Sequence, residues 1–308
     1  MNINRRTAIK GIAVASIFSS TSLSVLNTQN PEEKVKYKKS IRIAVVQQNG
    51  NPGKPEENRQ KAINFAQQAI DNGADVILFH EELIVGYSPD LKQLAELVDG
   101  QTTKEFQKIL RNKDSLIIYG LTERDGDNYY ISAPIVSAAG LVANYRKTHL
   151  WWAAEGLRHE PTYYSAGNRL VTFRYKGHKC GIMICYDGDF PEMTRAYANL
   201  GCSVVFWMNN RGSRGHNEVK DLSYRNSMII ASSCCCGKNE RGAICRGGSN
   251  ITDADGNLLS ELWDKEGIVY ANVYPEKALD LRSNNPWYKG QRPELYYNTI
   301  NSPANKDL

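Results

Sequence analysis

Residues 178–197 read HKCGIMICYDGDFPEMTRAY. The apolar run GIMIC ends on Cys185, Tyr-Asp-Gly-Asp follows, and Pro191 opens a segment of helical character. A short continuous apolar run is how a strand buried on both faces looks in sequence. Proline is favoured at the first position of a helix. The stretch therefore predicts strand, turn and helix, with a sulfur at the junction. Packing is one reading of that sulfur, since cysteine is among the most buried residue types. A nucleophile displayed at a strand end is the other.

The same grammar recurs to either side. An apolar run over 41–47 leads through the Pro/Gly-rich NPGKPEEN into residues where Ala62, Ile63, Ala66, Ala69 and Ile70 recur at helical spacing. That pattern predicts a helix over 56–72, closed by Gly73. ADVILF at 74–79 is a short buried-strand run ending in His80-Glu81-Glu82. A helix is expected over 91–112 and a strand over 115–120. A hairpin over 129–137 and 141–145 ends in Arg146-Lys147. Strands are expected over 170–175, 180–185, 203–208 and 228–236, with a helix over 191–200 and another from about 219. SVVFWM ends in Asn209-Asn210-Arg211, and Asp255-Gly256 marks a turn between two further strands. The alternation of strands and helices predicts one α/β domain over 41–297, with a tail over 298–308.

Composition narrows the function class. The chain has 308 residues and a formal net charge of +5. Residues 1–40 hold seven of the 38 Lys/Arg and two of the 33 Asp/Glu, so the whole surplus lies there and 41–308 is balanced. No nucleic-acid-binding surface is implied. No run of about eighteen apolar residues occurs, so no membrane span is expected. The leader MNINRRTAIKGIAVASIFSSTSLSVL carries Arg5-Arg6 before a weakly apolar stretch and a Ser/Thr-rich segment. It resembles a twin-arginine export signal, placing 1–35 outside the fold and the protein in the periplasm or outside the cell.

Seven cysteines occur: Cys180, Cys185, Cys202, Cys234, Cys235, Cys236 and Cys245. An odd number leaves at least one thiol unpaired within the chain. Their spacing contains no zinc-type pair of C-x2-C motifs, and no metal or organic cofactor is expected. Cys234-Cys235-Cys236 reads as small strand residues, with a disulfide to Cys245 or Cys202 as the alternative.

Glu81, Lys147 and Cys185 each follow a strand-like run. Ligand sites of open α/β sheets lie beyond strand ends, so the three are candidates for one site. Here the chain resembles the nitrilase superfamily of carbon–nitrogen hydrolases. The family's Phe-Pro-Glu, with Gly-Tyr five and six residues later, is matched by Phe79-His80-Glu81 and Gly86-Tyr87, with His80 in place of proline. Its Tyr-Arg-Lys is matched at 145–147, and its Cys-x-Asp-x-x-(Phe/Tyr)-Pro-Glu at 185–192. Gly247-Gly248-Ser249, Asp253-Ala254-Asp255-Gly256 and the stretch from Arg282 through Pro286-Trp287 to Tyr296 extend the likeness over about 41–297.

The resemblance implies a four-layer αββα sandwich, a homodimer or higher oligomer, and a Glu–Lys–Cys triad acting on a small linear amide. Glu81 is then the base, Lys147 the ammonium favouring the thiolate, and Cys185 the nucleophile. The backbone N–H of Tyr186 and Lys147 are expected to hold the oxyanion. A second family glutamate lies in a Trp-x-x-x-Glu-Gly stretch, which Trp151 to Gly156 resembles; that makes Glu155 the choice and Glu160 the rival. Tyr87, Trp151, Trp207 and Asn209, with Arg211 beside them, are candidate pocket residues. Tyr186-Asp187-Gly188-Asp189 differs from the Cys-Trp-Glu of true nitrilases and lacks the arginines of N-carbamoyl-amino-acid hydrolases. Amide hydrolysis therefore leads, with N-carbamoyl-amine hydrolysis next. A non-catalytic amide-binding relative, or a thiol-rich redox or metal protein, is the alternative from another class. His149 as a papain-like partner of Cys185 is a further alternative.

Overall fold

Two sets of three parallel strands, one in each half of the chain, carry the architecture. The computed structural model describes residues 36–37, 39–211 and 215–300, the last four as backbone. The export signal expected in the leader lies outside the described residues. The strands are β1 (Ile41–Gln47), β2 (Val76–Leu78), β3 (Leu116–Ile118), β4 (Leu121–Asp125), β5 (Asn128–Ser137) and β6 (Gly140–Arg146). They continue as β7 (Thr172–Tyr175), β8 (His178–Ile184), β9 (Val204–Asn209), β10 (Ile229–Cys234), β11 (Cys236–Lys238), β12 (Ile244–Thr252), β13 (Leu258–Trp263) and β14 (Gly267–Val273).

The first sheet runs β14-β1-β2-β3-β5-β4, with β6 on β5; the second runs β11-β12-β10-β9-β8-β7, with β13 on β12. Within the first, β1, β2 and β3 are parallel, Ile43 facing Val76 and Ile77 facing Ile117. Within the second, β8, β9 and β10 are parallel, Cys180 facing Val204 and Val205 facing Ile230. β14 returns from the second half to pair antiparallel with β1. The two sheets pack face to face, β1 against β10 and β12. Helices Pro55–Asp71 and Gln101–Ile109 cover one sheet, and Pro191–Asn199 and His216–Asn226 the other. This is the four-layer αββα sandwich.

Local chemistry explains the elements. VIL and LII are β-branched and leucine runs with no exposed residue, as strands covered on both faces require. Pro55, Pro191, Pro275 and Pro286 occupy first-turn positions where no N–H is needed. Ala62, Ala66, Ala69 and Ile70 form the buried stripe read from the sequence.

The elements differ from the sequence reading at four places. The helix expected over 91–112 divides into Leu91–Leu94 and Gln101–Ile109. Between them the Glu96 carboxylate accepts from Thr102 N at 2.8 Å and pairs with Arg59 at 2.9 Å, holding the chain out of the helix. The strand expected over 228–236 breaks at Cys235, which separates β10 from β11. Strand β4 carries the charged Glu123, Arg124 and Asp125, and its alternation is too short to stand out. The helix Pro293–Ile300 runs across the expected 297/298 boundary.

Among the described residues no helix is long and apolar enough to cross a membrane. All seven cysteines carry free thiols, so the bridges left open by the sequence are not formed.

Candidate active site

Glu81 lies three residues past the end of β2, the middle strand of its parallel trio. Its side chain is fully buried. Oε1 accepts from Lys147 Nζ at 2.7 Å and lies 3.4 Å from Tyr87 OH. Oε2 accepts from Asn210 N at 2.9 Å, and Asn210 Nδ2 reaches the Glu81 carbonyl at 3.2 Å. Behind the segment sits Gly120: a Cβ there would lie 2.3 Å from the His80 carbonyl oxygen, so only glycine lets the backbones meet.

Of the two adjacent glutamates the structure brings Glu81 to the lysine. Glu82 turns away, with φ 53°, and accepts from Thr122 Oγ1. Burial pushes its carboxyl up to about 8. His80, which stands where the family has proline, is a packed ring: Nδ1 contacts the Glu81 carbonyl at 2.8 Å, and burial lowers its pKa to about 4.

Lys147 follows β6 directly and is fully buried with its ammonium between two carboxylates. Nζ donates to Glu81 Oε1 and Glu160 Oε1, both at 2.7 Å. Burial opposes the charged ammonium, yet Glu81 and Glu160 outweigh it and hold the pKa above the ordinary lysine value. Unpaired, such a charge would be strongly destabilising.

The second carboxylate corrects the sequence reading. Glu155 is exposed, and its carbonyl accepts from Arg241 at 2.6 Å. Glu160 takes the place beside Lys147, bonded also to Tyr87 OH at 2.7 Å and to Trp151 N at 2.7 Å. The short 3-10 turns Gly156–Arg158 and Glu160–Thr162 carry the chain back on itself, so the residue five positions later reaches inward. Burial raises the Glu160 carboxyl while Lys147 opposes that rise.

Cys185 follows β8 and opens a 3-10 turn over Cys185–Asp189. Its φ of +47° is the left-handed region that L-residues seldom adopt, a strained display of the kind found at functional sites. Burial and then Glu81 push its thiol up to about 12, against the pull of Lys147 and Arg211. The carboxylate and the ammonium are thus both close enough to bear electrostatically on the sulfur. Arg211 Nε donates to Cys185 Sγ at 3.1 Å.

Asp187 ties this turn to the lysine strand. Its buried carboxylate accepts from Ile184 N at 2.9 Å on one side of Cys185 and from Tyr145 OH at 2.7 Å two residues before Lys147. It also accepts from Thr148 Oγ1 and His149 N, each at 3.0 Å. His149 pairs with Asp187 at 3.0 Å and stacks on Phe190, so it is no partner of the sulfur.

A cavity of about 200 Å³ opens on the thiol, walled by Tyr87, Trp151, Arg158, Glu160, Tyr186, Asn210 and Arg211. Tyr87 and Trp151 stand where the sequence reading put them. Trp207 and Asn209 do not: both are fully buried beneath the site. Trp207 Nε1 donates to the Cys185 carbonyl at 3.0 Å, its indole lying where a Cβ on Gly188 would be. Asn209 Nδ2 donates to Ser232 Oγ at 3.2 Å. Asn210, just past the end of β9, takes the place expected for Asn209. Arg158, whose guanidinium lies 4.4 Å over the Tyr87 ring and donates to the Asn210 carbonyl at 2.7 Å, had no signal in the sequence. Asn210-Arg211 had one, since it follows a strand as Glu81 and Cys185 do. Among the described residues no group of three or more His, Cys, Asp or Glu is arranged to hold a metal.

Comparison with known proteins identifies the family. A profile of the family described as carbon-nitrogen hydrolase matches residues 42–282. The chain is 31% identical over 253 residues to the 2-oxoglutaramate amidase of Bacillus subtilis (strain 168), covering 79% of this chain and 95% of that protein. It is 29% identical over 227 residues to an (R)-stereoselective amidase of Pseudomonas sp., covering 72% and 80%. Among solved structures it resembles XC1258 from Xanthomonas campestris, titled a CN-hydrolase superfamily protein, with a TM-score of 0.74 at 18% identity, covering 82% and 98%; that likeness concerns the fold. The profile match spans most of the chain and contains Glu81, Lys147 and Cys185 alike, and the chain therefore belongs to the carbon–nitrogen hydrolase family.

Proposed function

We propose that this hydrolase cleaves the carbon–nitrogen bond of a small linear amide, releasing ammonia and a carboxylic acid through a thioester on Cys185. The observation carrying this reading is one ammonium held at 2.7 Å from two buried carboxylates behind a cavity whose wall bears a strained cysteine. The cavity, about 200 Å³, is smaller than a drug-sized site and suits a short acyl group.

The chemistry follows from the protonation states. The buried thiol is protonated at rest, and the thiolate is the nucleophile. Glu81 takes the thiol proton as sulfur bonds to the amide carbon. The carbonyl electron pair moves to oxygen, facing Lys147 and the N–H of Tyr186. The first N–H groups of a helical turn have no partner within it, and one such donor is worth about 3–4 kcal/mol at comparable sites. Collapse breaks the carbon–nitrogen bond, and Glu81 returns its proton to the departing ammonia. Water then gives a proton to Glu81 and attacks the thioester, the carbon–sulfur bond breaks, and sulfur is reprotonated. Glu160 holds Lys147 and Tyr87 in place throughout.

Ammonia release from a panel of short amides, carbamoyl amines and nitriles tests the reading. Amides are expected to turn over, with release lost in Cys185→Ala and lowered about 10²–10⁴-fold in Glu81→Gln. Ammonia release that persists in Cys185→Ala refutes it. Export through Arg5-Arg6 and assembly into a homodimer or higher oligomer complete the proposal. The leader sequence supports the first, checked by cell fractionation of an Arg5→Lys, Arg6→Lys double variant. An open apolar face around Leu222 and the half-exposed Trp287 supports the second, checked by light scattering.

A further inference from the structure

We propose that Arg211 is a further catalytic residue, whose guanidinium stabilises the Cys185 sulfur as an anion before attack and again when the thioester breaks. The inference rests on the thioester reading above and adds a fourth charged side chain to Glu81, Lys147 and Glu160.

Geometry carries it. Arg211 lies two residues past β9, at the parallel strand next to the one that delivers Cys185. Nη1 donates to Asp189 Oδ1 at 3.1 Å, and Nη2 lies 3.0 Å from Oδ2. The hydrogen bond and the ion-pair contact to one carboxylate together orient the planar guanidinium, a group lysine lacks. Its Nε–H faces Sγ at 3.1 Å. Asp189 belongs to the same turn as Cys185, so the guanidinium and the sulfur are positioned by one piece of backbone.

Charge balance says why a second cation is needed. Lys147 is shared by two carboxylates, so the buried Glu81–Lys147–Glu160 group carries no positive surplus when both are ionised. A thiolate beside that group alone would meet two negative charges and one positive. Arg211 brings the balancing charge. Its own partner, Asp189, is about a third exposed and screened by water, whereas the sulfur is buried.

Arginine stays protonated in proteins, so only the sulfur changes state across the contact. A thiol is a weak acceptor. A thiolate is an anion, and hydrogen bonds to charged groups are the stronger kind. The contact therefore strengthens as Glu81 removes the proton, which is when stabilisation accelerates a reaction. In the second half-reaction the carbon–sulfur bond breaks with its electron pair left on sulfur. Arg211 then faces the leaving group.

Alkylation of Cys185 by iodoacetamide, followed by intact mass from pH 7 to 9, tests the assignment without requiring turnover. Arg211→Met is expected to alkylate about tenfold more slowly at a given pH, the effect of one unit on the thiol. Its kcat should fall with little change in KM, and Arg211→Lys should recover part of both losses. Arg211→Gln supplies a polar, hydrogen-bonding amide without the charge and is expected to match Arg211→Met, which covers the case in which methionine disturbs the turn. A wild-type alkylation rate in either folded neutral variant overturns the proposal. Slowed alkylation in a protein that hydrolyses no amide would uphold the sulfur–guanidinium coupling and refute the amidase reading instead.

Discussion

The strand ends of the two sheets are built differently, although Glu81 and Cys185 each follow a strand of a parallel trio. The first sheet delivers Glu81 and Lys147 into full burial, where the carboxylate oxygens take their donors at fixed distances and the ammonium is shared by two acids. The second delivers Cys185 to the wall of a cavity on a left-handed backbone, with Asn210 and Arg211 beside it. One side is a buried charge cluster; the other presents a thiol to a cavity. Asp187 is the strut between them, holding the backbone before Cys185 and the residues flanking Lys147 with one carboxylate. Preorganised charges lose nothing to reorganisation at the moment of reaction, whereas the nucleophile has to meet a substrate arriving from outside.

That contrast can be broken from the buried side first. Glu160→Gln removes one of the two charges balancing Lys147, and steady-state kinetics should show kcat lower by about 10²-fold. Wild-type kcat in this variant would mean that the charge cluster is structural only.

A smaller effect concerns stability. The Glu82 carboxyl is raised in the fold to about 8 from an ordinary 4.5. Between those values the unfolded chain ionises Glu82 while the native state keeps its proton. The native state thus binds more protons, and stability declines as pH rises through that window. Glu82→Gln should flatten the fall in melting temperature between pH 4.5 and 8; an unchanged slope would place the ionising group elsewhere. The smallest effect is expected at Glu155. Exposed as it is, Glu155→Gln should leave activity within twofold and stability within about 0.5 kcal/mol.

The fold was legible because strands covered on both faces are short apolar runs: ADVILF, GIMIC and SVVFWM read as they fold. The triad candidates were legible because each follows a strand-like run, buried for Glu81 and Cys185 and half-exposed for Lys147. The second glutamate was not, because Glu155 and Glu160 lie in irregular chain, where burial is decided by two turns with no periodic signature. Trp207 and Asn209 misled for a related reason. They belong to β9 itself and are buried with it, while the cavity begins one residue further on, at Asn210. Arg158 is held at the site by Glu240, Asn210 and the Tyr87 ring, all distant in sequence and brought together only once the chain is folded.

The whole account turns on carbon transfer to one sulfur. Rapid acid quench of the enzyme turning over a short amide, followed by intact mass and peptide mapping, reads that transfer directly. The account predicts an added acyl mass on Cys185, absent in Cys185→Ala and present when any of the other six cysteines is replaced by serine. Hydrolysis without that adduct in the Cys185→Ala protein, or an adduct on a different residue, would contradict it.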